Sequence, residues 1–587
     1  ARRTSPLTRS DLILESRTWG NCVVGQVSEW IDCDAPDLTA RQSAEKALQE
    51  ELSWACHISM SALLLPTPGR ECYNYANVLK RIVCGNSQNP GLWIKFPLRA
   101  APKQTSQPDC ALPPQRDPWF TWNTLRTLCG HSSSLGVALE LGISLPKKLD
   151  ANRWVGEPVR ALLIPTSIFL TNNKGYPVLS AAHQQLIVKF YEHGVQFVLT
   201  GRPRHLDGLE PYYLYLQHLI QRIPGQSVKD RFESPFYDYL QSPLQPLGDH
   251  LESQMYETFE KDPVKYEMYE KAIALALSET PVKKVSVVMV VGAGRGPLVR
   301  CALRAADSVQ RRIRMYAVEK NPNAVVTLRN MHHMLGWGAT VQIVHTDMRY
   351  WKSPELADIL VSELLGSWGD NELSPECLDG AEKFLNPNGG ISIPYEYTSF
   401  VEPISTPKLW NDCSAFGDDK HMETMYVVKL HKFSAFAHPK PVFTFAHPSW
   451  NKGLDEEGNE RFSPHRTTDP ALLGGNIDNT RYTKVEFMAD HTGLMHGFGA
   501  YFEARLYKDV MISINPPTHS PGMFSWFPIY IPLRSPQVIK KGDTIRALFW
   551  RHCKSTKVWY EWALAEPEPS AVHNTNGQSS PINLATD

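Results

Sequence analysis

The chain has 587 residues, 42% of them hydrophobic and 21% charged, with 60 Lys and Arg against 61 Asp and Glu. That length implies roughly two to four domains with sizeable cores, and a formal net charge of −1 excludes nucleic-acid binding driven by bulk charge. Eleven cysteines without a CxxC pair argue against a disulfide framework or a zinc cage. Reduced, buried cysteines fit a cytosolic or nuclear compartment. No apolar run approaches the roughly twenty residues that span a bilayer, and ARRTSPLTRSDLILES (1–16) has no apolar signal core. The first residue is Ala1 rather than Met, so the native N-terminus and any targeting segment are expected to lie upstream.

Residues 1–225 alternate apolar runs with helical patterns: CVVGQV (22–27), SALLLP (61–66), LWIKFPL (92–98), LGVALELG (135–142), VRALLIP (159–165) and VQFVLTG (195–201). Near-continuous apolar strands separated by helices imply a parallel sheet covered on both faces, which is either open or closed as a (β/α) barrel. APKQTSQPDCALPPQRDP (101–118) reads as a surface insertion. Residues 226–280 read as a connector ending in a helix, with Asp262 as N-cap and Pro263 at the first helical position, where its missing N–H costs little. Tyr269, Ile273 and Ala276 share one face of that helix. Residues 281–393 carry the strongest α/β pattern. From 394 to 587 the runs METMYVVKL, PVFTFAHP, RYTKVEFMAD, GFGAYFEARLYKDVMISI and KVWYEWAL are β-branched and aromatic and predict an antiparallel sandwich or barrel. In KVWYEWAL, Val558, Tyr560, Trp562 and Leu564 alternate with Trp559, Glu561 and Ala563. The stretch 451–475 reads as a long loop within this domain.

VSVVMVVGAGRGPLV (285–299) is an apolar strand running into a glycine-rich turn. Gly292, Gly294 and Gly296 let backbone pass close to a ligand at the strand's C-terminal edge. The next strand, IRMYAVE, ends in Glu319, placed to accept both hydroxyls of a ribose. ATVQIVHTDM ends in Asp347 and Met348, where a side chain and a backbone amide can read an adenine, and ADILVSE ends in Glu363. A bare tight turn is the plain alternative to a site. A dinucleotide prefers GxGxxG and a helix N-terminus for its pyrophosphate. Here the spacing is GxGxG, followed by Pro297 and Leu298, which favours S-adenosylmethionine over NAD.

Glu363 and Glu372 lie nine positions apart in SELLGSWGDNELSPECLDG (362–380). Two carboxylates suit an arginine guanidinium, which keeps its charge and is gripped as a fork. Without a cation between them, each raises the other's pKa. One alternative is a solvated acidic loop with Asp370, Glu372, Glu376 and Asp379 exposed. Another is a hard-metal site, which the spacing does not match, so no metal is expected.

Several stretches carry a resemblance: 240–266, VVGAGRGPLV, YAVEKNPNAVVTL, SELLGSWGDNELSPECLDG, SIPYEYTSF, THSPGMFSWFP (518–528) and KVWYEW. With these, the chain resembles the protein arginine methyltransferases, and within them the type II enzymes that dimethylate symmetrically. The resemblance implies a TIM-barrel-like N-terminal domain, a Rossmann-type methyltransferase domain and a β domain that completes the substrate groove and helps dimerisation. It implies Glu363 and Glu372 as the catalytic pair. It implies Tyr256, Lys265, Tyr266, Gly292, Gly294, Pro297, Leu298, Glu319, Asp347 and Met348 as contacts of S-adenosylmethionine. On the acceptor side it implies Gln241, Leu244, Phe259, Leu364, Leu365, Ser525 and Trp526. Phe259 stands where asymmetric-type enzymes have methionine, and Trp526 packs on the guanidinium plane. For any single aromatic, core packing is the bland alternative. Trp368-Gly369 stands where Phe-Ala or Phe-Gly is common, and the tail HNTNGQSSPINLATD departs from the usual ending. Implied partners are Arg/Gly-rich histone tails and spliceosomal Sm-type proteins, a second copy or more of the chain, and a WD-repeat protein on the N-terminal domain, in cytoplasm and nucleus. Rival readings are an asymmetric or mono-methylating enzyme, a scaffold with a vestigial site, and an NAD-linked oxidoreductase.

Overall fold

Alternating strands and helices in the N-terminal third build a parallel sheet of six strands hydrogen-bonded in chain order: Gly25–Gln26, Ala62–Leu65, Gly91–Pro97, Leu135–Glu140, Val159–Pro165 and Gln196–Thr200. Strand order that never reverses is the arrangement of a (β/α) barrel, whereas a doubly wound sheet reverses at a switch point. The structure, a computed structural model, describes residues 23–69, 71–85, 90–99, 117–281, 284–449, 452–454, 460–462 and 479–584. The 101–118 insertion falls outside these residues except for Asp117 and Pro118. The 451–475 loop also falls outside them, except that Lys452–Leu454 pairs antiparallel with Glu460–Phe462. No disulfide joins two cysteines among the described residues, and no helix there is long and apolar enough to cross a membrane.

The second sheet is the one that makes a site. Five parallel strands run in the order Val341–His345, Ile313–Glu319, Ser286–Val291, Ile359–Ser362, Ile391–Ile393. Order reverses on either side of Ser286–Val291, so a crevice opens at its C-terminal end, where the chain turns through the glycines. All six residues of that strand are buried, as a strand covered on both faces requires. The helix Pro263–Glu279 packs against this sheet through Tyr269, Ile273 and Ala276, all buried, and Asp262 caps it by accepting from Val264 and Lys265 N–H.

Beyond Glu396 the chain is antiparallel. A seven-stranded sheet centres on Glu396–Ser405 and Gly493–Tyr507, and a four-stranded sheet contains Arg481–Met488, Thr544–Cys553, Lys557–Glu566 and Ile582–Asn583. Two details depart from the sequence pattern. In METMYVVKL only Tyr426–Val427 is strand, because Asp419–Glu423 is wound into a 3-10 turn. The alternation in KVWYEWAL does not separate a wet face from a dry one. Val558, Tyr560 and Trp562 are buried, but so are Trp559 and Ala563, since both faces of that strand are covered. The connector is stitched to this domain by main-chain bonds: Gln241 N–H donates to Val427 O at 3.0 Å and Val427 N–H returns to Gln241 O at 2.8 Å.

Candidate active site

A cavity of about 410 Å³ opens at the switch point, and the expected catalytic, donor-contact and acceptor-side residues line it, although Gly296 of the glycine turn does not. The glycine turn forms its floor. Gly292 and Gly294 sit at φ +73° and +53°; a Cβ at Gly292 would meet Leu364 at 2.9 Å, and one at Gly294 the Tyr256 ring at 3.1 Å. Glu319 is buried at the end of its strand and accepts Gly294 N–H at 2.7 Å and Asn321 N–H at 2.6 Å. Burial raises its carboxyl above the ordinary carboxylate value against these two bonds. Asn321 also donates to the Tyr256 hydroxyl at 3.2 Å, closing the turn under the connector. The Asp347 carboxylate is held by Arg349, through N–H at 2.8 Å and Nη2 at 2.8 Å, and both Asp347 and Met348 line the cavity. Pro297 and Leu298 open the helix Pro297–Ser308, whose first residue has no N–H to offer a phosphate.

Across the cavity, Glu363 follows the strand Ile359–Ser362 and Glu372 returns on the loop behind it. Glu363 accepts Lys265 Nζ at 3.3 Å and Leu365 N–H at 3.3 Å. Burial and the Glu363 charge push the Glu372 carboxyl well above the usual carboxylate range, with Lys265 pulling the other way. Lys265 is itself buried. Its ammonium lies 4.9 Å from the ring centres of Tyr266 and Trp526 and 5.6 Å from that of Phe259, a cation–π cage. Trp526 adopts φ +65°, a strained conformation for a bulky residue, and its Nε1–H donates to Leu365 O at 2.8 Å. The Ser525 Oγ is buried in the cavity wall without a hydrogen-bond partner.

Three family models match the chain: "PRMT5 TIM barrel domain" over residues 1–222, "PRMT5 arginine-N-methyltransferase" over 227–393 and "PRMT5 oligomerisation domain" over 396–582. Curated relatives include protein arginine N-methyltransferase 5 of Oryza sativa subsp. japonica, 47% identical over 99% of this chain and 91% of that one. The Xenopus laevis protein of the same name is 43% identical over 99% and 91%, and protein arginine N-methyltransferase skb1 of Schizosaccharomyces pombe is 36% identical over 96% and 89%. The chain belongs to the PRMT5 arginine-N-methyltransferase family.

Within this PRMT5-family cavity, several residues that hold the site were invisible as such in the sequence. The solvated acidic loop that the sequence allows around Asp370 and Glu376 is excluded by the fold. Asp370 is buried and accepts Arg551 Nε at 2.6 Å, the Tyr560 hydroxyl at 2.6 Å and the Ser399 hydroxyl at 2.9 Å. Arg551 forks onto Glu376 at 2.8 and 2.9 Å and is fully buried. One guanidinium from the four-stranded sheet thus bridges two carboxylates on either side of Glu372. Asp379 accepts Asn479 Nδ2 at 2.7 Å, and burial pushes its carboxyl up to about 8. Trp368 is buried against Phe443, Phe549 and Tyr560, with Nε1–H on Phe400 O, so the larger ring at this position fills core space behind the loop. Tyr269 donates to Ser362 O at 2.9 Å, steadying the strand end from which Glu363 projects.

Proposed function

We propose that this cavity joins a methyl group from S-adenosylmethionine to a terminal nitrogen of arginine in Arg/Gly-rich protein tails, giving monomethyl- and then symmetric dimethylarginine. The observation that carries the reading is one cavity lined by the glycine turn and Glu319 at one end and by Glu363 and Glu372 at the other. The donor half fits an uncharged nucleoside. Gly292 and Gly294 leave space that a Cβ would fill. Each Glu319 oxygen is left with a lone pair for a hydroxyl after accepting one N–H. When bound, S-adenosylmethionine supplies the methyl as an electrophile on a cationic sulfonium.

Glu363 and Glu372 grip the guanidinium fork, aim one nitrogen at the methyl and localise the positive charge on the others. The attacking nitrogen must shed a proton as it gains carbon. Glu372, ionised in company with the bound guanidinium, suits that task as acceptor, because burial and the neighbouring carboxylate raise its affinity for the proton. Phe259 and Trp526 bound the space around the acceptor, and their bulk directs the second methyl to the other terminal nitrogen. Histone and Sm-type tails suit a cavity that reads the side chain and its small flanking residues. A homodimer or larger assembly through residues 396–582, a WD-repeat partner on the N-terminal domain, and residence in cytoplasm and nucleus complete the proposal.

The test is incubation with S-adenosylmethionine and an Arg/Gly-rich histone-tail peptide, followed by hydrolysis and mass spectrometry. Symmetric dimethylarginine supports the reading. Asymmetric product keeps the chemistry and overturns the role of Phe259. No product with the donor bound points to a missing partner or to a scaffold.

A further inference from the structure

We propose that Asp262 is a positioning residue for the acceptor side, a single buried carboxylate that ties the loop carrying Ser525 and Trp526 to the helix carrying Lys265 and Tyr266. Its sequence signature is that of an ordinary N-cap. One oxygen does that work, accepting Val264 N–H at 3.0 Å and Lys265 N–H at 3.4 Å. The other accepts Phe524 N–H at 2.9 Å and Ser525 N–H at 2.7 Å, from 262 and 263 residues away. The side chain is fully buried, so these four donors meet no competing water.

What the second pair of bonds holds is the strained part of the cavity. Trp526 follows directly, at φ +65°, an unfavourable conformation that persists only where its surroundings over-determine it. On the far side its indole N–H is held by Leu365 O at 2.8 Å, and its ring meets Phe502 edge-on at 5.1 Å. Asp262 supplies the near-side restraint. Ser525, whose Oγ is buried in the cavity wall without a partner, is fixed by the same bonds. The opposite end of the carboxylate sets the first helical turn, which brings Lys265 Nζ to 3.3 Å from Glu363 and 4.9 Å from the Trp526 ring. Through Asp262 the donor-side helix and the acceptor-side aromatic share one reference point. An error in either is an error in how the arginine is aimed, and aim decides both the rate and which nitrogen takes the second methyl. This inference rests on the arginine-methylation reading above.

Asp262→Ser separates the two roles. Serine caps a helix about as well as aspartate, but it is too short to reach Phe524 and Ser525. The purified full-length variant is compared with wild type for S-adenosylhomocysteine affinity by calorimetry, for kcat and KM on an Arg/Gly-rich peptide per donor-titrated site, and for the ratio of methylarginine products. The expected result is donor-product affinity within about threefold of wild type, KM raised about tenfold, kcat reduced, and a product mixture shifted away from that of wild type. Wild-type kcat, KM and product ratio per titrated site, with only a lower melting temperature, overturn the proposal and leave Asp262 as a structural cap. If the serine variant does not fold, Asp262→Asn preserves volume while presenting an amide N–H to one pair of donors, and the same readouts apply. A wild-type protein that binds no S-adenosylhomocysteine would instead refute the functional reading on which the test stands.

Discussion

Arg551→Met removes the guanidinium behind the glutamate loop while keeping much of its volume. Arg551 makes one bond to Asp370 and two to Glu376, and none of its side chain is exposed. Breaking a buried pair by deleting one partner typically costs about 3–5 kcal/mol. Asp370 keeps the Tyr560 and Ser399 hydroxyls, whereas Glu376 loses both bonds to the guanidinium, so most of the cost falls on Glu376. At about 2–4 °C per kcal/mol for a domain of this size, the melting midpoint falls by roughly 6–20 °C. The pH dependence is the sharper signature. Burial pushes Glu376 up, and in the wild type the charge and hydrogen bonds of Arg551 outweigh burial and hold it below the ordinary carboxylate value. That contribution is present above the unfolded carboxylate pKa and is lost as pH falls through the lower folded one. In the variant burial prevails and the folded pKa is raised, so its contribution is present in acid and lost as pH rises. The gap between the two proteins therefore widens from roughly pH 4 to pH 8. Thermal melting across that range measures it. A shift below about 2 °C, or one that does not vary with pH, refutes the assignment of Arg551 as the counter-charge of Glu376.

Glu363→Gln keeps binding of the donor product, because the glycine turn and Glu319 are untouched, but lowers kcat by at least about a hundredfold through loss of a charge from the clamp; calorimetry with a rate assay checks both halves, and near-normal turnover contradicts the clamp. Phe259→Met, a slimmer and more flexible side chain, relaxes product symmetry; chromatography of hydrolysed product that shows a purely symmetric outcome counts against its role. Uptake of a cationic arginine peptide is expected to release protons, because burial and Glu363 raise the Glu372 carboxyl against Lys265 and a bound guanidinium lowers it again. Peptide affinity accordingly rises with pH, and calorimetry in buffers of different ionisation enthalpy reads the proton directly; a buffer-independent heat rules it out.

Chemistry carried by contiguous residues was legible in the sequence. Strand ends announce themselves by an apolar run that stops at a polar residue, so the turn at Gly292 and the acids Glu319, Asp347 and Glu363 are legible in the sequence, and a parallel sheet brings such ends to one edge. The N-cap at Asp262 was equally local. Its second role was not, since the two N–H groups it holds belong to a loop more than 260 residues on, and no local pattern distinguishes a cap with one duty from a cap with two. Asp370 and Glu376 illustrate the limit in reverse. Read along the chain they are an acidic loop that water should solvate, and only the arrival of Arg551 from a distant strand allows them to be buried. Asp347 was placed at its edge by the sequence pattern, but its pairing with Arg349 depends on how the loop folds back. The sequence by itself thus determined the sheet edges, the glycine turn and the types of group at the cavity, because these follow from periodicity and backbone freedom over a few residues. The aim of those groups was decided by the tertiary structure alone, because buried charges take their partners from wherever packing brings them.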